Sequence, residues 1–198
     1  MVRIWLKRHT IFEADYDRRS KHCRAEIFFS DGSRLIFDDT RTFGKIQIMK
    51  KSQAVPAIEK LGAEPLSDQL NSEFLSKQLK NRKAPIKNLL LNQNIITGLG
   101  NIYVAEILYR CQIDPRKQAD RLSLKQIEKI VEKTKIVLKE AIEKKGTTVS
   151  DYRRVEGQSG QFQNFLRVYQ KKKCKCGTEI KRIKMAGRST YYCPSCQQ

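Results

Sequence analysis

The chain has 198 residues, 40 of them Lys or Arg against 21 Asp or Glu, giving a formal net charge of +19 and a pI near 9.8. That length holds one medium domain or two small ones, and no apolar run approaches what a membrane span needs. So large a cationic excess favours a polyanionic partner, nucleic acid first, over a merely soluble basic surface; an anionic membrane fits poorly, because no basic helix carries a strongly apolar face with aromatic anchors.

In chain order, residues 1–22 predict one short strand and a loop around Trp5, Leu6, Ile11 and Phe12. Residues 23–49 read as strands. The side chains at 23, 25, 27 and 29 share one face, while Arg24 and Glu26 take the other. Asp31-Gly32 centres a hairpin turn, residues 34–37 return, and residues 43–49 give another strand. From Val55 the pattern turns helical. Pro56 opens a short helix, residues 61–66 form a connector, and helices are expected over 72–80, 86–92 and, after the turn 95–101, over 102–110. The most strongly patterned helix covers 124–145. Ser123 and Gln126 make a capping box, Leu124, Ile127, Ile130, Val131, Leu138, Ala141 and Ile142 form the apolar stripe, and Gly146 supplies the stop. Residues 155–161 form a polar, glycine-bearing loop, and 162–170 lead into a cysteine-rich end. Cys23 and Cys111 read as small buried hydrophobes.

Four stretches carry chemistry. Gly98-Leu-Gly100-Asn101-Ile-Tyr103 places two glycines and a good N-cap, Asn101, ahead of a helix whose positive dipole end suits a phosphate; the same run is also an ordinary turn between helices. Arg41 and Phe43, two apart on an extended segment, project the same way and could enter a duplex as filler and wedge; otherwise Phe43 is core and Arg41 is solvated. Arg188 stands at a hairpin turn where a guanidinium can reach phosphate, or simply meet solvent. Cys174, Cys176, Cys193 and Cys196 can hold one structural Zn²⁺ tetrahedrally; the alternatives are a disulfide pair or a ribbon that has lost its metal.

Taken in order, DDTRTFG, LGAEPL, IKNLLLNQNIITGLGNIYVAEIL, KKGTTVSDY and GRSTYYCPSCQ resemble the formamidopyrimidine-DNA glycosylase/endonuclease VIII family of base-excision repair enzymes, from about His22 to the last residue. The resemblance implies an α+β fold. It places a partial N-terminal β-sandwich at 1–54, a helical DNA-binding domain with a helix–two-turns–helix element at 55–165, and a C-terminal zinc ribbon at 166–198. It implies that Asn101, with Gly98, Gly100 and Tyr103 in its motif, and Arg188 bind phosphates beside the lesion. Arg41 and Phe43 then fill the duplex and intercalate, and the loop near 157–160 covers an extruded purine. The partner implied is double-stranded damaged or abasic DNA, in a bacterial cytoplasm and associated with the nucleoid. The alternatives are a non-catalytic zinc-dependent DNA-binding module of the same descent and a zinc-ribbon protein that binds RNA.

Two departures stand out. Family chemistry begins at an N-terminal proline amine, assisted by a neighbouring glutamate and a lysine, whereas this chain opens Met-Val-Arg-Ile-Trp, with Leu6 nearest the place of a third wedge residue. None of those catalytic residues is present. The resemblance therefore implies that the chain alone is inactive or severely impaired in base removal and strand cleavage. It also implies that half a sandwich either joins a separate N-terminal piece or leaves an apolar front exposed. The second departure is Cys174-Lys-Cys176, one residue between cysteines where the family has two.

Overall fold

The structure is a computed structural model and describes residues 2–7, 10–13, 21–39, 42, 44–50, 60–147 and 160–198. Two compact units emerge, one from Met1–Val55 with Lys144–Gln163, the other from Pro56–Glu143 with Asn164–Gln198.

The first unit holds five strands. β1 (Val2–Lys7) pairs antiparallel with β5 (Lys45–Lys50), from Val2 opposite Lys50 to Lys7 opposite Lys45. A second sheet has the order β2 (Thr10–Glu13), β4 (Arg34–Asp38), β3 (Cys23–Phe28), all antiparallel. Residues 1–22 thus carry two strands where one was expected. The partner of β1 lies some forty residues on, so nothing local in the sequence announces that pairing. β4 is central and buries Ile36 and Phe37. The Asp31-Gly32 turn forms as its chemistry predicts: Gly32 takes φ 85° and the Asp31 carboxylate accepts from the Ser33 amide and hydroxyl at 2.9 and 2.6 Å. The strand predicted from Phe43 begins at Lys45. The short helix expected at Pro56 lies outside the described residues.

The second unit is helical and ends in a hairpin. α1 (Ser72–Leu79) is capped by Asn71, whose side chain accepts from the Phe74 amide. α2 (Ile86–Leu90), α3 (Asn101–Cys111) and α4 (Leu124–Glu143) follow, with α4 packed on α3 and α1. The Ser123–Gln126 capping box closes reciprocally at 3.1 and 3.3 Å. The buried face of α4 is Ile127, Ile130, Thr134, Val137 and Ala141, an alternation of three and four residues. The expected stripe is corrected at its ends and in its interior. Leu124 and Ile142 are exposed because they lie at the first and penultimate helical positions; in the interior Val131 and Leu138 are only partly buried, whereas Val137 is fully buried and so is Thr134, whose hydroxyl donates to the Ile130 carbonyl at 2.7 Å.

The connector at 61–66 is held against the turn that precedes α3. The Ala63 amide donates to the Ile95 carbonyl at 3.0 Å, and the Thr97 amide donates back to the Ala63 carbonyl at 3.0 Å. Gly62 lies so close that a Cβ there would fall 2.3 Å from the Ile95 backbone, which explains the glycine. β6 (Lys181–Met185) and β7 (Arg188–Tyr192) form the final antiparallel hairpin, turned by Ala186 and Gly187 at φ 45° and 74°.

Candidate nucleic-acid interface and metal centre

The four C-terminal cysteines converge. Their Sγ atoms lie within 4.8 Å of one another, with Cys174 to Cys196 at 3.8 Å and Cys176 to Cys193 at 3.6 Å. A tetrahedral Zn²⁺ with Zn–S bonds near 2.3 Å sets sulfur–sulfur edges of about 3.8 Å, so this donor set fits zinc. The short Cys174-Lys-Cys176 spacing works through a tight turn. The Gly177 amide donates to the Cys174 carbonyl at 3.0 Å with Gly177 at φ 86°, and the Cys174 amide donates to the Thr178 carbonyl at 2.8 Å. The second pair is braced by buried Gln197, whose side chain accepts from the Cys193 amide at 2.9 Å and donates to the Ile113 carbonyl at 2.8 Å. Ala105, Val168 and Ile180 pack with Cys174 and Cys193 into one apolar cluster, and the Tyr109 hydroxyl lies 3.1 Å from Cys174 Sγ. Cys111 takes no part: it is buried, and burial pushes its thiol up to about 12.

At the other end of α3 the glycine turn is a built structure. Gln93 spans it, donating to the Leu99 carbonyl at 3.0 Å and accepting from the Gly98 amide at 2.8 Å. Gly98 takes φ 76°, which glycine adopts without penalty. Gly98 and Gly100 are exposed, and a Cβ on either would meet nothing within 4 Å, so the edge of this turn is open to an approaching group. Gly100, not Asn101, is the N-cap, and no side chain caps the helix. Asn101 is the first helical residue because its amide is engaged elsewhere: Nδ2 donates to the Ser189 carbonyl on β7 at 2.9 Å. Its Oδ1 is buried with no hydrogen-bond partner among the described residues. The first N–H groups of a helix have no intrahelical acceptor and carry its positive dipole end. Tyr103 is half-buried in the same first turn.

The Asn101–Ser189 bond therefore sets the start of α3 beside exposed Arg188. A second cation joins Arg188 here, one the sequence pattern did not single out. Lys87 on α2 is fully buried, its Nζ makes a short 2.5 Å hydrogen bond to Thr190 Oγ1, and burial, then the Arg188 charge, lowers its ammonium pKa to about 8. The available signal was a single lysine inside the apolar run Ile86–Leu91. Glu106 was missed for the same reason. It is fully buried between Ala105 and Ile107, and its carboxylate accepts from the backbone amides of Arg167, Val168 and Tyr169 at 2.9, 3.0 and 3.0 Å, fastening the lead-in of the ribbon to α3.

Arg41, Phe43 and residues 157–159 lie outside the described residues, though the frame around the first two does not. Buried Asp39 accepts from the Gly44 amide at 2.5 Å, and Thr42 holds φ 56°, a left-handed conformation uncommon for a β-branched residue.

Comparison with known proteins agrees with this geometry. Residues 61–153 match the formamidopyrimidine-DNA glycosylase H2TH domain, and residues 171–198 match a zinc finger found in FPG and IleRS. The whole chain is 39% identical to formamidopyrimidine-DNA glycosylase of Pelotomaculum thermopropionicum and covers 73% of that protein. The chain belongs to the formamidopyrimidine-DNA glycosylase family. The family's fold extends over it: the MutM (Fpg) protein of Thermus thermophilus superposes with a TM-score of 0.89 at 33% identity, covering 99% of this chain and 76% of that one. Lactococcus lactis Fpg bound to DNA containing an abasic site superposes at 0.88 with 34% identity, covering 100% of this chain and 75% of that one. The fold is thus α+β with a C-terminal finger, and the four cysteines hold one structural zinc ion. No helix among the described residues is long and apolar enough to cross a membrane.

Proposed function

We propose that this chain grips duplex DNA at a damaged or abasic nucleotide as part of base-excision repair. The observation that carries the reading is the joining of the α3 N-terminus to Arg188 through the Asn101–Ser189 hydrogen bond. The two phosphates flanking an extruded nucleotide then bind between the Arg188 guanidinium, the second Asn101 N–H and the open backbone edge at Gly98 and Gly100, with Tyr103 alongside. Arg41 and Phe43 fill the space the nucleotide vacates, offsetting an unstacking cost of a few kcal/mol. The strained backbone at Thr42, between them, supports a functional loop there. In this reading residues 1–54 contribute the partial sandwich that carries the wedge, 55–165 the helical DNA-binding part and 166–198 the zinc-held arginine.

Base removal and abasic-site cleavage need the family's proline amine, glutamate and lysine, supplied either ahead of Met1 in the same polypeptide or by a separate N-terminal piece. The chain spans about three quarters of its curated relatives. It works in the bacterial cytoplasm, on nucleoid DNA.

Competition binding with an abasic-site duplex, an intact duplex and an RNA hairpin tests this. Preference for the abasic duplex, erased by Phe43→Ala, is expected; equal affinity for all three overturns it. Borohydride trapping on the abasic duplex reports the chemistry separately, with an adduct expected only when the proline-bearing part is present.

A further inference from the structure

A cavity of about 420 Å³ in the helical unit lies among Arg110, Glu140, Arg167, Lys171, Lys173 and Lys175. Its single carboxylate is already spent: Glu140 is locked to Arg110 by two hydrogen bonds of 2.9 and 2.7 Å. The other four cations form no salt bridge among the described residues, so the cavity presents about four uncancelled positive charges. They stand on rigid supports. The Arg167 amide is fixed by buried Glu106, and Lys175 is held between two zinc ligands. Lys173 adjoins the ligand Cys174, and its backbone forms an antiparallel bridge with Glu179. The backbone beneath these cations is fixed while the exposed lysine side chains keep their own freedom, so only part of the ordering cost of holding an anion is met in advance.

The position separates this site from the grip. Arg110 lies nine residues beyond Asn101 on α3, about 14 Å along the helix axis, and at the opposite end of its dipole. One phosphate cannot touch both ends; about 14 Å is about four base pairs of duplex, so release under competition, not distance, tells a second duplex from a longer reach of the first. We propose that this cavity is a second phosphodiester site, which holds the backbone of a DNA segment other than the one gripped at Asn101 and Arg188, without regard to sequence or lesion. A single small anion would use one or two of these cations; a duplex backbone, with a charge every few ångströms, uses the row. Its consequence is direct transfer, in which a second duplex engages before the first is released.

The test uses the full 198-residue zinc-loaded chain. In an Arg188→Ala background, which weakens the primary grip, binding of an undamaged duplex should persist and fall a further tenfold or so when Lys171→Gln, Lys173→Gln and Lys175→Gln are added. In the otherwise unaltered chain, release of a labelled abasic duplex should speed up as unlabelled intact duplex is raised, and the triple substitution should abolish that dependence while zinc content stays the same. If the triple variant loses zinc, the pair Lys171→Gln with Lys173→Gln carries the test. No residual binding in the Arg188→Ala chain, residual binding that the substitutions leave unchanged, or full displacement by millimolar inorganic phosphate overturns the proposal. Failure of lesion preference alone would strike the primary grip and leave this site standing.

Discussion

Lys87 and Glu106 are the two residues at which burial and charge conflict most directly in this unit. Lys87 loses hydration in exchange for one hydroxyl and faces a like charge at Arg188, so its pKa falls from 10.5 to about 8. The folded value lies below the unfolded one. Between about pH 8 and 10.5 the unfolded chain therefore holds a proton that the folded chain has released, and stability rises with pH across that window. The full effect is on the order of 3 kcal/mol. Lys87→Met should remove it: the unfolding free energy of the unaltered chain minus that of the variant, from urea titrations at about pH 7.5, 9 and 10.5, should increase with pH. A difference flat across the window contradicts the buried ammonium. Glu106 is the opposite case, a buried carboxylate with three amide donors. Glu106→Gln keeps the shape but turns an NH₂ toward donors, and should cost about 2–4 kcal/mol in denaturant unfolding; a loss below about 0.5 kcal/mol, a surface-like effect, would deny the staple.

At the scale of elements, the ribbon shows what zinc does for the grip. The hairpin β6–β7 is two short strands, too little to stand alone. It is held by the metal at one end, by Gln197 on Ile113, and by Asn101 on Ser189. Chelation or Cys176→Ser should empty the site, free Arg188 and weaken DNA binding more than about tenfold, with recovery of the chelated chain on adding Zn²⁺. Metal analysis should give one zinc per folded chain, and a folded, DNA-binding chain with well under one would contradict the centre. The elements legible beforehand were those with local signatures: the Asp-Gly turn, the Ser123–Gln126 box, the four-cysteine set and the long helix. The illegible ones depend on distant partners. β1 pairs with β5 across some forty residues, Asn101 gives up the capping role for a carbonyl eighty-eight residues on, and Gly62 is explained only by the Ile95 backbone beside it. The family's motif order put Asn101 and Arg188 in one functional set, but their physical link through Ser189 and Lys87 became visible only in three dimensions.

For the whole molecule, the +19 charge would do two jobs if both proposals above hold. Part of it converges where α3 begins, at Arg188 and Lys87, and part lines the cavity at the far end of the same helix. In the function proposed above, chemistry on the sugar comes from residues outside these 198, so binding rather than turnover is the property by which this chain is judged. The most direct test of the grip is the salt dependence of binding to an abasic-site duplex, with the Arg188→Ala chain measured beside the unaltered one. If about six phosphates are contacted, affinity should fall about 10³-fold between roughly 50 and 200 mM salt. Removing Arg188 should make the logarithmic slope shallower by about one unit while weakening damaged and intact duplexes alike. An unchanged slope and affinity in the Arg188→Ala chain would contradict the account.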